Sequence, residues 1–268
     1  MRQVSEASRP RTTWRVILHD AGAPVWNMAV DEAVFEAVEA GLAPPTLRLY
    51  RWDRAAVTVG RFQSVARTMD VDLCERRGIP IVRRPTGGRG VLHGSDQTLS
   101  IAARWSHLGH ETRGVAATYR LLTRGIAEGM RAFGIALAAA PPERRLERAG
   151  DCFAVRSPAD LVTEDGAKVA GAAMCRHVDA VLLQVSLLHR KPDVSPGEIF
   201  LGAPAACHYP LEDVHPGSIE EALVQGYHDA LGAPMEEGEL TGWELERVGV
   251  LLSQGRGRGD RVDRGMPL

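Results

Sequence analysis

Arg83-Arg84-Pro85-Thr86-Gly87-Gly88-Arg89-Gly90-Val91-Leu92-His93 stands between two apolar runs, Ile79-Pro80-Ile81-Val82 before it and Gln97-Thr98-Leu99-Ser100-Ile101-Ala102-Ala103 after it. The stretch reads as a loop between strands. Paired glycines permit positive φ and a close approach of backbone to ligand, and free N–H groups in such a loop can donate to a carbonyl or phosphate oxygen. Arg83, Arg84 and Arg89 add fixed positive charge and many donors. The loop lacks the Lys-Ser/Thr of a Walker A motif and the spacing of a dinucleotide fingerprint. By its residues alone it is a cradle for an anion or an acyl carbonyl, with a tight turn carrying solvated arginines as the plainer alternative.

Outward from the loop, elements of both kinds alternate. Trp14 to Leu18 reads as a strand, and Asn27 opens an amphipathic helix stopped at Gly41, with Asp31 and Glu32 in its first turn complementing the dipole. Thr46–Trp52 and Ala55–Val59, parted by Asp53-Arg54, suggest a hairpin. Asp70 caps a short helix that holds Cys74 and closes at Gly78. A long helix runs from Val115 to Phe133, with Gly125 and Gly129 open to close packing. A polar, proline-headed break covers Pro141 to Arg148. Asp160–Thr163 and Ala167–Ala173 form a second hairpin about an Asp165-Gly166 turn, and Ala180–Leu188 is a buried strand. A helix capped by Ser218 and an amphipathic segment from Leu240 to Leu252 complete a helical layer. The pattern is α+β: a mainly antiparallel or mixed sheet with packed helices.

With 268 residues the chain can bury a substantial core. Its 32 basic and 34 acidic side chains give a net charge of −2, and their even mixing leaves no case for nucleic acid. No apolar run approaches a bilayer span, and residues 1–11 carry no signal-peptide core, so a cytoplasmic protein without membrane attachment is expected. The four cysteines fit no zinc spacing and are expected to be reduced, which makes any special cysteine a nucleophile before a disulfide half. Residues 1–13 are expected to be flexible, 14–252 to form the catalytic domain, and 253–268 to be a disordered Gly/Arg-rich tail.

The central motif, preceded by Asn27-Met28-Ala29-Val30-Asp31-Glu32-Ala33 and by Val57-Thr58-Val59-Gly60-Arg61-Phe62-Gln63, resembles the biotin/lipoate protein ligase family. The motifs come in the family's order over roughly Trp14 to His189, and Arg89 followed by Val-Leu-His is most like its octanoyltransferase branch. The resemblance implies a class II synthetase-like catalytic domain and a role in lipoate assembly. It implies transfer of an octanoyl group from acyl carrier protein to the lysine of a lipoyl domain, in a 2-oxoacid dehydrogenase or a glycine-cleavage H protein. No metal or cofactor is needed for that scheme. An ATP- and Mg²⁺-dependent lipoate-protein ligase using the same pocket is the first alternative, although the chain after His189 is short for the extra domain such ligases often carry. A non-catalytic acyl or carrier-protein binding module is the second.

Residue by residue, the resemblance implies that Asp151-Cys152-Phe153 holds the nucleophile, since the octanoyltransferase branch has a cysteine before Phe at this place. Acyl transfer without ATP is easiest through a thioester, and a thiolate is a strong nucleophile at neutral pH. Lys168, followed by Val-Ala-Gly-Ala-Ala, matches the family lysine that faces the acyl carbonyl; an ammonium near a developing oxyanion stabilises it. Arg61, Arg83, Thr86, Gly87, Gly88, Arg89, His93 and Gly171 would shape the acyl site. His93 could orient a carbonyl or relay a proton, with a hydrogen-bonded structural histidine as the alternative. Cys207 is a rival nucleophile, at a distance past the lysine strand that fits a more distant branch; Cys175 is expected to pack. The chain departs from the family pattern at Gly94-Ser95-Asp96, at Ala172-Ala173-Met174, and at Gln184-Val185-Ser186, where a histidine is absent.

Overall fold

The computed structural model describes residues 12–108, 114–141, 150–202 and 208–255. Cys207, residues 142–149 of the polar break, residues 1–11 and the tail from 256 lie outside the described residues.

The chain begins with β1 (Trp14–Gly22), α1 (Pro24–Glu39), β2 (Thr46–Trp52) and β3 (Ala56–Val59). Next come α2 (Val71–Arg76), β4 (Ile81–Arg83), β5 (Val91–His93), β6 (Asp96–Arg104), α3 (Trp105–Leu108) and α4 (Val115–Met130). It continues with β7 (Ala138–Ala139), β8 (Leu161–Val162), β9 (Lys168–Arg176), β10 (Ala180–Leu188) and α5 (Pro196–Ile199), then α6 (Pro216–Leu231), β11 (Met235–Glu237) and α7 (Gly242–Ser253). The large sheet has the order β11-β1-β2-β6-β10-β9-β8-β7, and a small one has the order β4-β3-β5. β11, β1 and β2 are mutually parallel; every other neighbour in the large sheet is antiparallel. The expected α+β architecture with a mixed sheet is what forms.

Period-two alternation places the layers. On β10, Val181, Leu183, Val185 and Leu187 join the core beneath α4 and α6, whereas Ala180 and Leu182 join the one beneath α1 and α7. Both faces of the sheet are therefore covered, which is why every residue of β10 is buried. The α4–α6 contact depends on glycine: a Cβ at Gly226 would lie 2.2 Å from the Gly125 oxygen and 2.4 Å from the Gly129 nitrogen. Those backbones cannot give way, so small residues let the helices touch, and the Tyr227 hydroxyl donates to the Leu122 carbonyl at 2.7 Å.

Several expectations are corrected. β2 and β3 do not pair: β2 lies between β1 and β6, while β3 pairs parallel with β4 and antiparallel with β5. Asp53-Arg54-Ala55 carries the chain from one sheet to the other. α1 starts at Pro24, three residues before Asn27, because proline at N1 lacks only an N–H that would be unpaired there anyway. Asp31 consequently lies in the helix interior, fully buried, where it meets Arg48 at 2.7 Å and accepts from Tyr50 and Ser100. It anchors helix to sheet and does not serve the dipole. α6 begins at Pro216 and is capped by the His215 ring, which accepts from Gly217 N. The short β11 carried no signal of its own.

The small sheet presents the Gly-Gly motif. β4 leads into it and β5 leaves it, both hydrogen-bonded to β3, over a separate core of Val57, Val59, Met69, Cys74, Ile79, Leu92, Ile199 and Phe200.

Candidate active site

The loop between β4 and β5 is organised from inside by Arg84, whose side chain is buried. Its Nε donates to Thr86 Oγ1 at 3.1 Å, Nη1 to Thr58 Oγ1 at 3.2 Å, and Nη2 to the carbonyls of Gly87 and Arg89 at 2.6 and 2.7 Å. A peptide N–H points opposite the preceding carbonyl, so the bond to Gly87 O turns the Gly88 N–H away from Arg84. Gly88 has φ of +90°, and a Cβ there would lie 3.0 Å from Arg84 Nη2, so both conformation and proximity require glycine. Thr86 extends the anchorage. Its hydroxyl donates to Gln184 Oε1 at 2.7 Å, and Gln184 Nε2 donates to Asp31 Oδ2 at 2.6 Å, which ties the loop to α1.

Arg83 is placed otherwise than as an anion ligand: Nη1 donates to the carbonyls of Gly60, Arg61 and Gln63, holding the exit of β3 against the loop. Arg61 is exposed beyond that exit, beside the Phe62 ring, and its N–H donates to the Thr86 carbonyl at 2.9 Å. His93 is buried and stacked on Trp52, with ring centroids 4.1 Å apart. Its Nδ1 meets Asp96 Oδ2 at 2.7 Å and its Nε2 meets Thr58 Oγ1 at 2.8 Å. A carboxylate only accepts, so Nδ1 carries a proton, while Nε2 shares a hydrogen bond with the threonine hydroxyl. Burial works to raise the Asp96 carboxyl, but His93, Ser186 and Thr98 outweigh it and hold it below its ordinary value. Both ring nitrogens are thus engaged, and His93 forms a wall.

Cys152 and Lys168 come together across the chain. Gly90 N donates to the Gly150 carbonyl at 2.9 Å and Cys152 N to the Gly90 carbonyl at 2.8 Å, which fastens the Gly150–Cys152 segment to the end of the loop. Lys168, first residue of β9, places Nζ 3.6 Å from Cys152 Sγ. The same ammonium meets Asp160 Oδ2 at 2.9 Å and donates to the carbonyls of Cys152 at 2.6 Å and Val155 at 3.2 Å. Burial lowers the Lys168 pKa, but the Cys152 sulfur and the Asp160 carboxylate more than offset it, so the side chain stays an ammonium. Burial pushes the Cys152 thiol up; Lys168 and Arg84 pull it partly back, against Asp160 and Asp151. Gly171, opposite Ser186 in the sheet, leaves room for the sulfur, since a Cβ there would lie 3.1 Å from Sγ.

Cys152 stands at a junction. On one side is a narrow slot of about 30 Å³, walled by Met28, Tyr50, Trp52, His93, Gly171 and Val185 among others. On the other is a cleft of about 550 Å³ bordered by Gly87, Gly88, Arg89, Tyr119, Asp160 and Lys168. The sulfur borders both, and the slot as it stands is too small for more than a water or two. Cys175 packs toward the α1–α7 core instead, its thiol raised chiefly by burial. Among the described residues no group of three or more His, Cys, Asp or Glu could hold a metal ion, and no helix is long and apolar enough to cross a membrane. Two of the residues that organise the site, Arg84 and Asp160, were not among the expected site residues: in the sequence Arg84 reads only as loop charge and Asp160 only as part of a hairpin strand. A lysine destined for burial requires a carboxylate partner, and Asp160, at the head of the hairpin that carries Lys168, was the candidate in view.

Comparison with known proteins bears on the fold and the family. The octanoyltransferase LipM of Kyrpidia tusciae is 35% identical over 90% of this chain and 96% of its own length. A crystal structure of lipoate-protein ligase A bound with ATP superposes with a TM-score of 0.77 at 22% identity, covering 90% of this chain and 95% of that one. A bi-partite lipoate protein ligase from Thermoplasma acidophilum, solved in a study of it and its E2 lipoyl domain, gives a TM-score of 0.74 at 20% identity over 91% of this chain and 93% of that one. The family model for the lipoyl protein ligase A/B catalytic domain matches residues 23–201, and the chain belongs to that family.

Proposed function

We propose that this chain is an octanoyltransferase of lipoate assembly, which moves an octanoyl group from acyl carrier protein to the lysine of a lipoyl domain through a thioester on Cys152. The catalytic unit is residues 14–252, and its substrates are met in the cytoplasm. The observation that carries the reading is the approach of Lys168 Nζ to within 3.6 Å of Cys152 Sγ, at the junction of a narrow slot with an open cleft.

The Cys152 thiol loses its proton and the thiolate, paired with the Lys168 ammonium, attacks the carbonyl of the donor thioester. The C–S bond to the donor breaks, and the departing thiolate takes up a proton. In the second step the neutral amine of the acceptor lysine attacks the enzyme thioester. An amide forms, the Cys152 C–S bond breaks, and the proton lost by the amine returns to the sulfur. Both steps exchange a thioester for a product of equal or lower energy, so ATP is not consumed. The acyl oxygen gains negative charge in each step, and the Gly88 N–H, turned away from Arg84, is suited to meet it. Lys168 can contribute there by exchanging its longest contact to oxygen, that to Val155 O.

Intact-protein mass spectrometry after mixing with octanoyl-acyl carrier protein, without ATP, tests this. A hydroxylamine-labile octanoyl adduct on wild type and none on Cys152→Ala is expected. No adduct on wild type, with lipoyl-domain acylation only when free acid, ATP and Mg²⁺ are added, overturns it in favour of a ligase; silence in both assays favours a binding module.

A further inference from the structure

Asp151 precedes the sulfur and has no part in the steps above. The residue is 1% exposed. Oδ1 accepts from the Phe153 N–H at 3.1 Å, while Oδ2 is buried with no hydrogen-bond partner among the described residues. Its backbone is bridged to Gly90, in the segment held by the bonds Gly90 N to Gly150 O and Cys152 N to Gly90 O. The backbone that carries the carboxyl is therefore fixed beside that of the nucleophile. An unpaired buried carboxylate is costly, and a fold that keeps one beside a nucleophile has placed a charge where it acts on that nucleophile.

We infer that Asp151 is a positioning residue for acyl transfer, whose buried carboxyl sets, through its own charge state, how readily Cys152 gives up its proton. The inference rests on reading Cys152 as the nucleophile. With the carboxyl neutral, Lys168 and Arg84 favour the thiolate against Asp160 alone; with it ionised, a second negative charge opposes the thiolate. The charged groups that face Asp151 are Lys168 from β9 and Arg89 from the loop, both favouring its ionisation. Those that face Cys152 are Lys168, Asp160, Arg84 and Asp151, and the Tyr119 hydroxyl of α4 lies within their field. Burial outweighs these influences on Asp151 and pushes its carboxyl up to about 6. The charge therefore changes in a range the protein can be assayed in.

The sign follows. As pH rises, Asp151 ionises before the thiol does, and its anion lifts the thiol's apparent pKa. Two neighbouring charges in a partly polar interior shift such an equilibrium about tenfold. The test is the rate of iodoacetamide alkylation of Cys152 against pH, read by peptide mapping so that Cys74, Cys175 and Cys207 are scored separately. In wild type the logarithm of the rate should climb with a slope below one between about pH 5 and 7, leaving a shoulder. Asp151→Asn should remove the shoulder and react about tenfold faster at pH 7.5, and Asp151→Glu should restore the wild-type form. A unit slope through that range in wild type overturns the inference even if the variants fail to fold. Coincident curves for wild type and a folded Asp151→Asn also overturn it. An intact shoulder with no acyl-enzyme would instead remove Cys152 as the nucleophile and leave the coupling of the two side chains standing.

Discussion

Replacing Lys168 by methionine removes the ammonium and keeps the length of the side chain. Asp160, 2% exposed, loses its partner at 2.9 Å and retains one donor, the Ser157 N–H at 2.7 Å. Leaving a buried charge unpaired costs about 3–5 kcal/mol, so the unfolding free energy of Lys168→Met should fall by that order. Most of that loss is the unpaired carboxylate's penalty and little of it is packing. Adding Asp160→Asn removes the charge while the asparagine oxygen still accepts from Ser157, so the double variant should recover at least half of the lost stability. Activity should not return. The ammonium beside the reacting sulfur and acyl oxygen is worth about 10²–10³ in rate, and both variants should stay down by that factor. Urea denaturation at pH 7.5 and single-turnover octanoyl transfer read the two quantities separately. Burial lowers the Lys168 pKa but Cys152 and Asp160 raise it overall, so its stabilisation is fully present below the ordinary lysine value and is lost only as pH climbs through the raised one. A double variant no more stable than the single one, or a Lys168→Met enzyme within about tenfold of wild type, would refute the reasoning.

Asp151 should make the fold weaker as pH rises. Its carboxyl is shifted from 3.8 to about 6, so the native state binds more protons than the unfolded chain between those values, and about 3 kcal/mol of stability is lost across them. Asp151→Asn should thus exceed wild type in urea midpoint at pH 8, with the difference vanishing toward pH 4; parallel pH profiles would contradict this. Gly171→Ala places a Cβ 3.1 Å from the Cys152 sulfur, so acyl-enzyme formation should slow by about tenfold or more while the urea midpoint changes little, and an unchanged rate would show that the sulfur has room to move.

What the sequence disclosed depended on the range of the interactions involved. The buried strand from Ala180 to Leu188 and the Asp165-Gly166 turn are local, and period and turn chemistry sufficed for both. The glycines of α4 could be read as points of close packing because a helix face with no side chain has little other use. Pairing was not legible at 46–59, since the partners of β2 and β3 lie on distant strands and the linking Asp53-Arg54-Ala55 looks like a turn in either arrangement. The partnership of Asp31 with Arg48 could not be seen without knowing that α1 starts at Pro24 and which face it turns to the sheet. In the site, Lys168 and Cys152 stood out through the motifs around them. The division of labour between Arg83, which clamps carbonyls of the β3 exit, and Arg84, which shapes the loop from beneath, needed coordinates: adjacent residues in an extended segment point opposite ways, and only the fold says which way is inward.

In the proposed reaction an octanoyl thioester on Cys152 is the species handed to the acceptor. The isolated octanoyl-enzyme, freed of donor, should be mixed with an unmodified lipoyl domain in the absence of ATP and followed by intact mass of both proteins. The enzyme adduct should be lost in step with the appearance of an amide-linked octanoyl group on the domain, at a rate no slower than steady-state turnover. An adduct that persists, or that hydrolyses while the domain stays unmodified, would contradict it.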